Sequence, residues 1–190
     1  FDGEYVTELA TGKQISRSQI GNNVMCFSNA PLSASEAFSS PVSPPPFMVG
    51  MAEVEIDKET GVLELIDYVA VVDCGTVINP NLARVQVEGG IAQGIGMALY
   101  EDVVYNEKGK NFSNSLMQYK IPTRLDVGTI RVEFESSYEP TGPFGAKSIG
   151  EIVINTPSSA ISNAIQNATG VIIRELPMTA EKIYRGISGR

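Results

Sequence analysis

The sequence of 190 residues contains no histidine. That absence removes Ser-His-Asp and Cys-His catalysis, histidine metal ligation and histidine proton shuttling together, so any acid–base chemistry falls to a carboxylate, a lysine or a tyrosine. Cysteine is scarce as well. Cys26 and Cys74 stand far apart without Cys-x-x-Cys spacing, and they signal neither a disulfide framework nor a zinc or iron–sulfur site. Both read as small buried hydrophobes. No apolar run reaches the roughly 18 residues of a membrane-spanning helix, and no charged leader opens the chain, so a cytoplasmic protein with no membrane partner is expected. Basic stripes are missing too. With 14 basic and 22 acidic residues the formal net charge is −8, which makes nucleic acid a poor partner. The first residue is Phe1 rather than methionine, which reads as a processed product or a piece of a longer polypeptide.

Hydrophobic residues make up 43% of the chain, enough for one sizeable core, so one domain or a compact pair of subdomains is expected over residues 1–190. Residues 1–46 form a poorly patterned lead-in, with short strands at most in the first 30. Ser33 to Glu36 fits a helix capping box, yet Leu32, Ala34, Glu36 and Phe38 alternate as a strand would, and a strand is the expectation. Pro41, Pro44, Pro45 and Pro46 force an extended connection.

From residue 47 the patterning sharpens. Residues 47–56 and 62–72, joined by Asp57-Lys58-Glu59-Thr60-Gly61, predict a long β-hairpin. Asn79-Pro80 reads as N-cap and first helical position of a helix over about 80–100. Gly89, Gly90, Gly94 and Gly96 fall inside that helix, each costing roughly 0.5–1 kcal/mol relative to alanine. Either close packing against a sheet or the approach of a bulky ligand has to offset this cost. An apolar groove is expected beside Gly90 and Gly94. Further on, the pattern predicts a strand over 129–138 and a helix capped by Thr156-Pro157 that stops at Gly170. A short strand over 171–175 and a helix opening at Thr179 follow. Hairpins and helices interleave without a steady βαβ rhythm, which gives an α+β class with a mixed sheet.

The run Gly-Pro-Phe-Gly-Ala-Lys-Ser-Ile-Gly-Glu at residues 142–151 places one carboxylate at the end of a glycine-rich turn. Glycines there allow positive φ and close backbone approach. Glu151 is then either a candidate general base or a solvated first-turn acid favoured by the helix dipole.

Four motifs in order resemble the xanthine dehydrogenase and aldehyde oxidase family of molybdenum hydroxylases. They are Asp-Cys-Gly-Thr-Val-Ile-Asn-Pro at 73–80, Gln-Val-Glu-Gly-Gly-Ile-Ala-Gln-Gly-Ile-Gly at 86–96, Tyr-Lys-Ile-Pro-Thr at 119–123 and Gly-Ala-Lys-Ser-Ile-Gly-Glu at 145–151. Asn163-Ala164-Ile165 and Leu176-Pro177 extend the likeness, which spans residues 47–176 as a family-like core. The resemblance implies the C-terminal molybdopterin-binding domain of the large subunit, as a fragment or a separate subunit, with the N-terminal half of that region as its partner. It further implies oxidoreductase activity that hydroxylates an N-heterocycle or aldehyde carbon with water-derived oxygen. In that scheme Glu151 is the general base on a molybdenum-bound hydroxide, and 2Fe-2S and FAD lie on partner subunits or domains. Gln93 matches a glutamine lining the pterin, Gln86 a motif position without an assigned contact, and Ser148, Ile149 and Gly150 the backbone leading to the base. Many members carry glycine where Ser148 stands. The resemblance places the metal on the pterin dithiolene, with no protein ligand. The rival reading is a non-catalytic scaffold that packs against a partner without cofactor, with Lys147 a solvated cation and Asp73 a turn-capping acid.

Overall fold

A computed structural model describes residues 1–27 and 33–189. The chain divides into two compact units, Phe1–Ser39 and Ser40–Arg190. In the first, β1 (Tyr5–Thr7) and β2 (Gln14–Ser16) pair antiparallel with Val6 opposite Ile15, and α1 (Arg17–Phe27) follows at once. The short strands match expectation, whereas α1 was not expected; its helically spaced Ile20, Val24 and Phe27 sit among polar residues, and the helix buries no residue. Cys26 lies on this helix and is exposed, contrary to its reading as a buried hydrophobe, while Cys74 is buried. The strand expected over residues 32–38 does not form over 33–38, which are irregular and exposed; Leu32 lies outside the described residues. Alternation alone does not make a strand where no neighbouring edge offers backbone partners.

The second unit is built on the predicted hairpin. β3 (Phe47–Ile56) pairs antiparallel with β4 (Leu63–Asp73), from Ile56 opposite Leu63 to Phe47 opposite Asp73. Asp57 organises the turn by accepting hydrogen bonds from the Glu59 amide at 2.9 Å and the Thr60 hydroxyl at 2.8 Å. β5 (Thr129–Phe134) adds parallel to β4, giving a mixed sheet in the order β3-β4-β5. It ends four residues short of expectation because β4 stops there: the Glu135 amide makes the last bond, to Val72 O at 2.9 Å.

The parallel crossover from β4 to β5 runs through α2 (Pro80–Leu99), opened as predicted by Asn79, whose side chain accepts from the Leu82 amide. α3 (Ile152–Thr169) packs on α2 and β3, and ends at Gly170 with φ 77°. It begins a full turn before Thr156-Pro157, so Pro157 lies inside the helix rather than at its start. An interior proline forfeits a backbone bond, at about 3 kcal/mol. Its ring is buried against α2, and neighbouring Thr156 pairs its hydroxyl with Tyr68 Oη at 2.8 Å. Residues 171–175 form no strand, contrary to expectation; Val171 instead packs on Gly186 of α4 (Ala180–Ser188), the helix that Thr179 caps as expected.

The core lies between one sheet face and the α2–α3 pair: Tyr68, Ala70 and Val72 of β4, Val132 of β5, Ile91 and Ile95 of α2, and Val153, Ile161 and Ile165 of α3. Each large aliphatic side chain buried there contributes about 1.5–3 kcal/mol. Two glycines of α2 serve this packing. A Cβ at Gly90 would lie 2.0 Å from Val153 Cγ2, and one at Gly94 would lie 2.6 Å from Pro157 Cγ. The close neighbour is therefore a helix and not the sheet that the sequence suggested. No helix among the described residues is long and apolar enough to cross a membrane.

Candidate active site

The loop before α3 is tied to the C-terminal end of β4. Pro143–Gly145 form one 3-10 turn, with Phe144 at φ 56° and Gly145 at φ 83°. A left-handed aromatic residue stores about 1–3 kcal/mol of strain. The cost is held by cross-links: the Thr76 amide donates to Gly145 O at 2.8 Å, and the Lys147 amide to Cys74 O at 2.7 Å. Of the three loop glycines that permit positive φ, only Gly145 adopts it. Gly142, at φ −93°, makes room for the Ala146 carbonyl.

Beyond Lys147 the chain turns into α3. Gly150 O accepts a hydrogen bond from Gln86 Nε2 at 3.2 Å, which joins the loop to α2. Glu151 follows at the N-cap position, exposed and with its carboxylate unused as a cap. A cleft of about 650 Å³ opens there, lined by Val85, Gln86, Gly89, Gly90 and Gln93 from α2 and by Gly150, Glu151, Ile154 and Asn155 from the loop and α3. Gln86, Gly89 or Gly90, and Gln93 recur at i, i+3 or i+4, and i+7, so one stripe of α2 faces this space. The cleft beside Gly90 is thus mainly polar, contrary to the apolar groove expected. The apolar groove is its neighbour, about 450 Å³, lined by Cys74, Val77, Leu82 and Ile149; Gln86 and Gly150 form the wall between the two.

Gly89 and Gly150 differ from the other glycines of the region. A Cβ on either would meet nothing within 4 Å, so the chain's own packing does not require glycine there. Gly89 is a helix-interior glycine whose cost the chain leaves uncompensated.

Asp73 and Lys147 anchor the loop. Lys147 Nζ lies 2.5 Å from Asp73 Oδ2, while Asp73 Oδ1 accepts from Ser137 Oγ at 2.5 Å and the Gly75 amide at 3.0 Å. The Lys147 side chain is only 8% exposed, so it is not the solvated cation expected from sequence, whereas Asp73 does cap the turn. The ammonium of Lys147, then the Ser137 hydroxyl and the Gly75 amide, lower the Asp73 pKa to about 2. Burial raises the Cys74 thiol pKa, leaving a poor nucleophile.

Of the six site residues named from sequence, the structure gathers Gln86, Gln93, Gly150 and Glu151 around one cleft. Ser148 and Ile149 face elsewhere: Ser148 borders a hollow with Ser40 and Pro44, and Ile149 packs towards the core and the apolar groove. Gln86 gains the contact that the sequence could not assign. Asn155 went unnamed, although it stands four residues after Glu151 on the same helix face, and Gly89, read from sequence only as a costly helix glycine, lies between the two glutamines. Among the described residues no three His, Cys, Asp or Glu side chains gather as a metal site.

Comparison with known proteins bears on the family and the fold. A xanthine dehydrogenase molybdenum-binding subunit of Escherichia coli K12, described as putative, is 35% identical over 154 residues, covering 80% of this chain and 20% of that protein. Quinoline 2-oxidoreductase from Pseudomonas putida 86 superposes with a TM-score of 0.69 at 40% identity, over 73% of this chain and 18% of that one. A Cu,Mo-CO dehydrogenase shares the fold over 100% of this chain and 25% of its own, with a TM-score of 0.81 at 22% identity. The chain therefore spans a quarter or less of each. Residues 2–128 match the family described as the molybdopterin cofactor-binding domain, a stretch that takes in the lead-in and α2 and stops before the Glu151 loop. On that match the chain belongs to the family of molybdopterin cofactor-binding domains.

Proposed function

We propose that this chain is part of the large subunit of a molybdenum hydroxylase that introduces water-derived oxygen at an electron-poor carbon of an N-heterocycle or aldehyde, with Glu151 as general base. The observation that carries the reading is the cleft where Gln86, Gln93 and Glu151 meet beside Gly89 and Gly150, two glycines whose added Cβ would meet no other described residue within 4 Å. The lining fits a pterin. Amide side chains offer donors and acceptors for its ring edges, and bare backbone leaves room for a flat ring system. When bound, the molybdenum cofactor supplies the two-electron redox chemistry.

The chain's own residues do the rest. Gln86 and Gln93 hold and orient the cofactor from α2, and Gly150 admits it close to the loop backbone. Glu151 accepts a proton at its carboxylate from the attacking oxygen. The neighbouring half of the large subunit closes the cleft against water, iron–sulfur and flavin partners take the electrons, and the assembly works in the cytoplasm. A scaffold without cofactor would leave the open glycine of α2 unexplained.

The test is Glu151→Gln in the assembled enzyme. Turnover is expected to fall by at least about 100-fold while molybdenum per chain stays unchanged. Full turnover in that variant removes the assignment.

A further inference from the structure

Four ion pairs join described residues; the Asp67–Arg131 pair on the same sheet leaves its arginine 62% exposed, Arg185 is 66% exposed and Lys182 34%. Lys147 is the exception at 8%. Taking an ammonium out of water is unfavourable unless a partner and a fixed geometry compensate it, and here three contacts converge. The ammonium bonds Asp73, it sits 5.5 Å from the Phe47 ring centroid, and Asp73 is itself held by the Ser137 hydroxyl and the Gly75 amide. Phe47 and Asp73 are directly opposed across the last rung of the β3–β4 hairpin. One side chain therefore clamps the end of that hairpin, and through Ser137 the segment after β5.

The clamp lies four residues before Glu151. On the near side the backbone is fixed by the Lys147 amide on Cys74 O, and on the far side by Gln86 on Gly150 O. Only Ser148 and Ile149 lie between the two ties. Among the described residues the side chain of Glu151 accepts no cap hydrogen bond, so its place in the cleft depends on where its backbone is held.

We infer that the Lys147–Asp73 pair positions Glu151, setting the reach of its carboxylate into the cleft by fixing the loop from the sheet side. This rests on Glu151 being the base. Neither residue of the pair touches the cleft, so both act through the loop, and displacing a reacting group by about 1 Å costs on the order of 100-fold in rate.

The experiment compares Lys147→Met, Asp73→Asn, the double variant, Lys147→Arg and Ser137→Ala in the assembled enzyme, with Arg131→Gln as the exposed-pair control and Glu151→Gln alongside. Expected for each of the first two is a fall in kcat of about 10- to 100-fold with KM and molybdenum per chain unchanged. The double variant should be no worse than the worse single, since the two act as one unit. Lys147→Arg should recover part of the rate, and Ser137→Ala, the mildest change, should show a smaller loss of the same kind. By hydrogen exchange, the segment 146–152 should open at least about 10-fold faster in Lys147→Met while the β3–β4 hairpin keeps its protection. Turnover and exchange matching the Arg131→Gln control, with Glu151→Gln inactive, overturn the positioning role alone. So does a loss that tracks molybdenum content and protection across the whole chain, which marks general destabilisation. Full turnover of Glu151→Gln overturns the function and the positioning role together.

Discussion

Gly89 and Gly90 stand side by side on α2 and meet opposite surroundings, Gly90 against Val153 and Gly89 against open cleft. Alanine at 90 gains helix propensity but forces Cβ into a buried valine, an overpacking cost of about 1–3 kcal/mol, so the chain should melt lower. Alanine at 89 gains roughly 0.5–1 kcal/mol and clashes with nothing, which should raise the melting temperature by about 1–4 °C. In the assembled enzyme the same methyl group occupies the room assigned to the cofactor, and molybdenum per chain should fall severalfold. Thermal unfolding combined with metal analysis reads both effects, and full molybdenum in Gly89→Ala would leave that glycine without a cofactor role. Gln86 and Gln93 were legible in the sequence as motif positions on one helix, whereas the room beside Gly89 was not, because the loop and α3 across the cleft define it. The partner of Lys147 was not, because Asp73 lies 74 residues away and only the folded sheet brings them together.

Elements with local punctuation were legible: the Asp57–Gly61 turn, the Asn79-Pro80 and Thr179 caps, and the Gly170 stop. Elements decided by tertiary neighbours were not. α3 runs through Pro157 because the buried ring packs against α2, and residues 33–38 and 171–174 stay irregular because no strand edge accepts them. The tie between β4 and the loop before α3 belongs to this second kind, and it makes stability depend on acid. The folded-state pKa of Asp73 is about 2, below an ordinary value of 3.8, so protonation favours the unfolded chain. Its stabilisation is complete above about pH 4 and is lost as the pH falls towards 2. Asp73→Asn lacks that contribution at every pH. Urea unfolding should therefore show wild type ahead of Asp73→Asn at pH 6, with the gap closing between pH 4 and pH 2. A gap that stays constant with pH would mean that the carboxylate charge is not what holds the loop.

At the scale of the whole chain, apolar exposure and net charge pull in opposite directions. The sheet face turned away from the helices carries Phe47, Val49 and Met51 at 58–64% exposure, with Val71 beside them, and the groove next to the candidate site exposes Ile78 and Leu82. Contiguous apolar surface of this kind marks where a neighbour packs, in keeping with a chain that spans a quarter or less of the relatives compared. A net charge of −8 keeps isolated copies apart by long-range repulsion. Salt separates the two effects. Raising it from 0.1 M to 1 M shortens the screening length from about 10 Å to about 3 Å, which weakens repulsion while leaving apolar contact intact. The isolated chain should therefore associate more strongly in 1 M than in 0.1 M sodium chloride by sedimentation velocity. Val49→Glu with Met51→Glu should hold it monomeric at both, because each new carboxylate would have to be desolvated in the contact. Association that weakens with salt would instead assign the contact to charge pairing and leave the sheet face without a part in it.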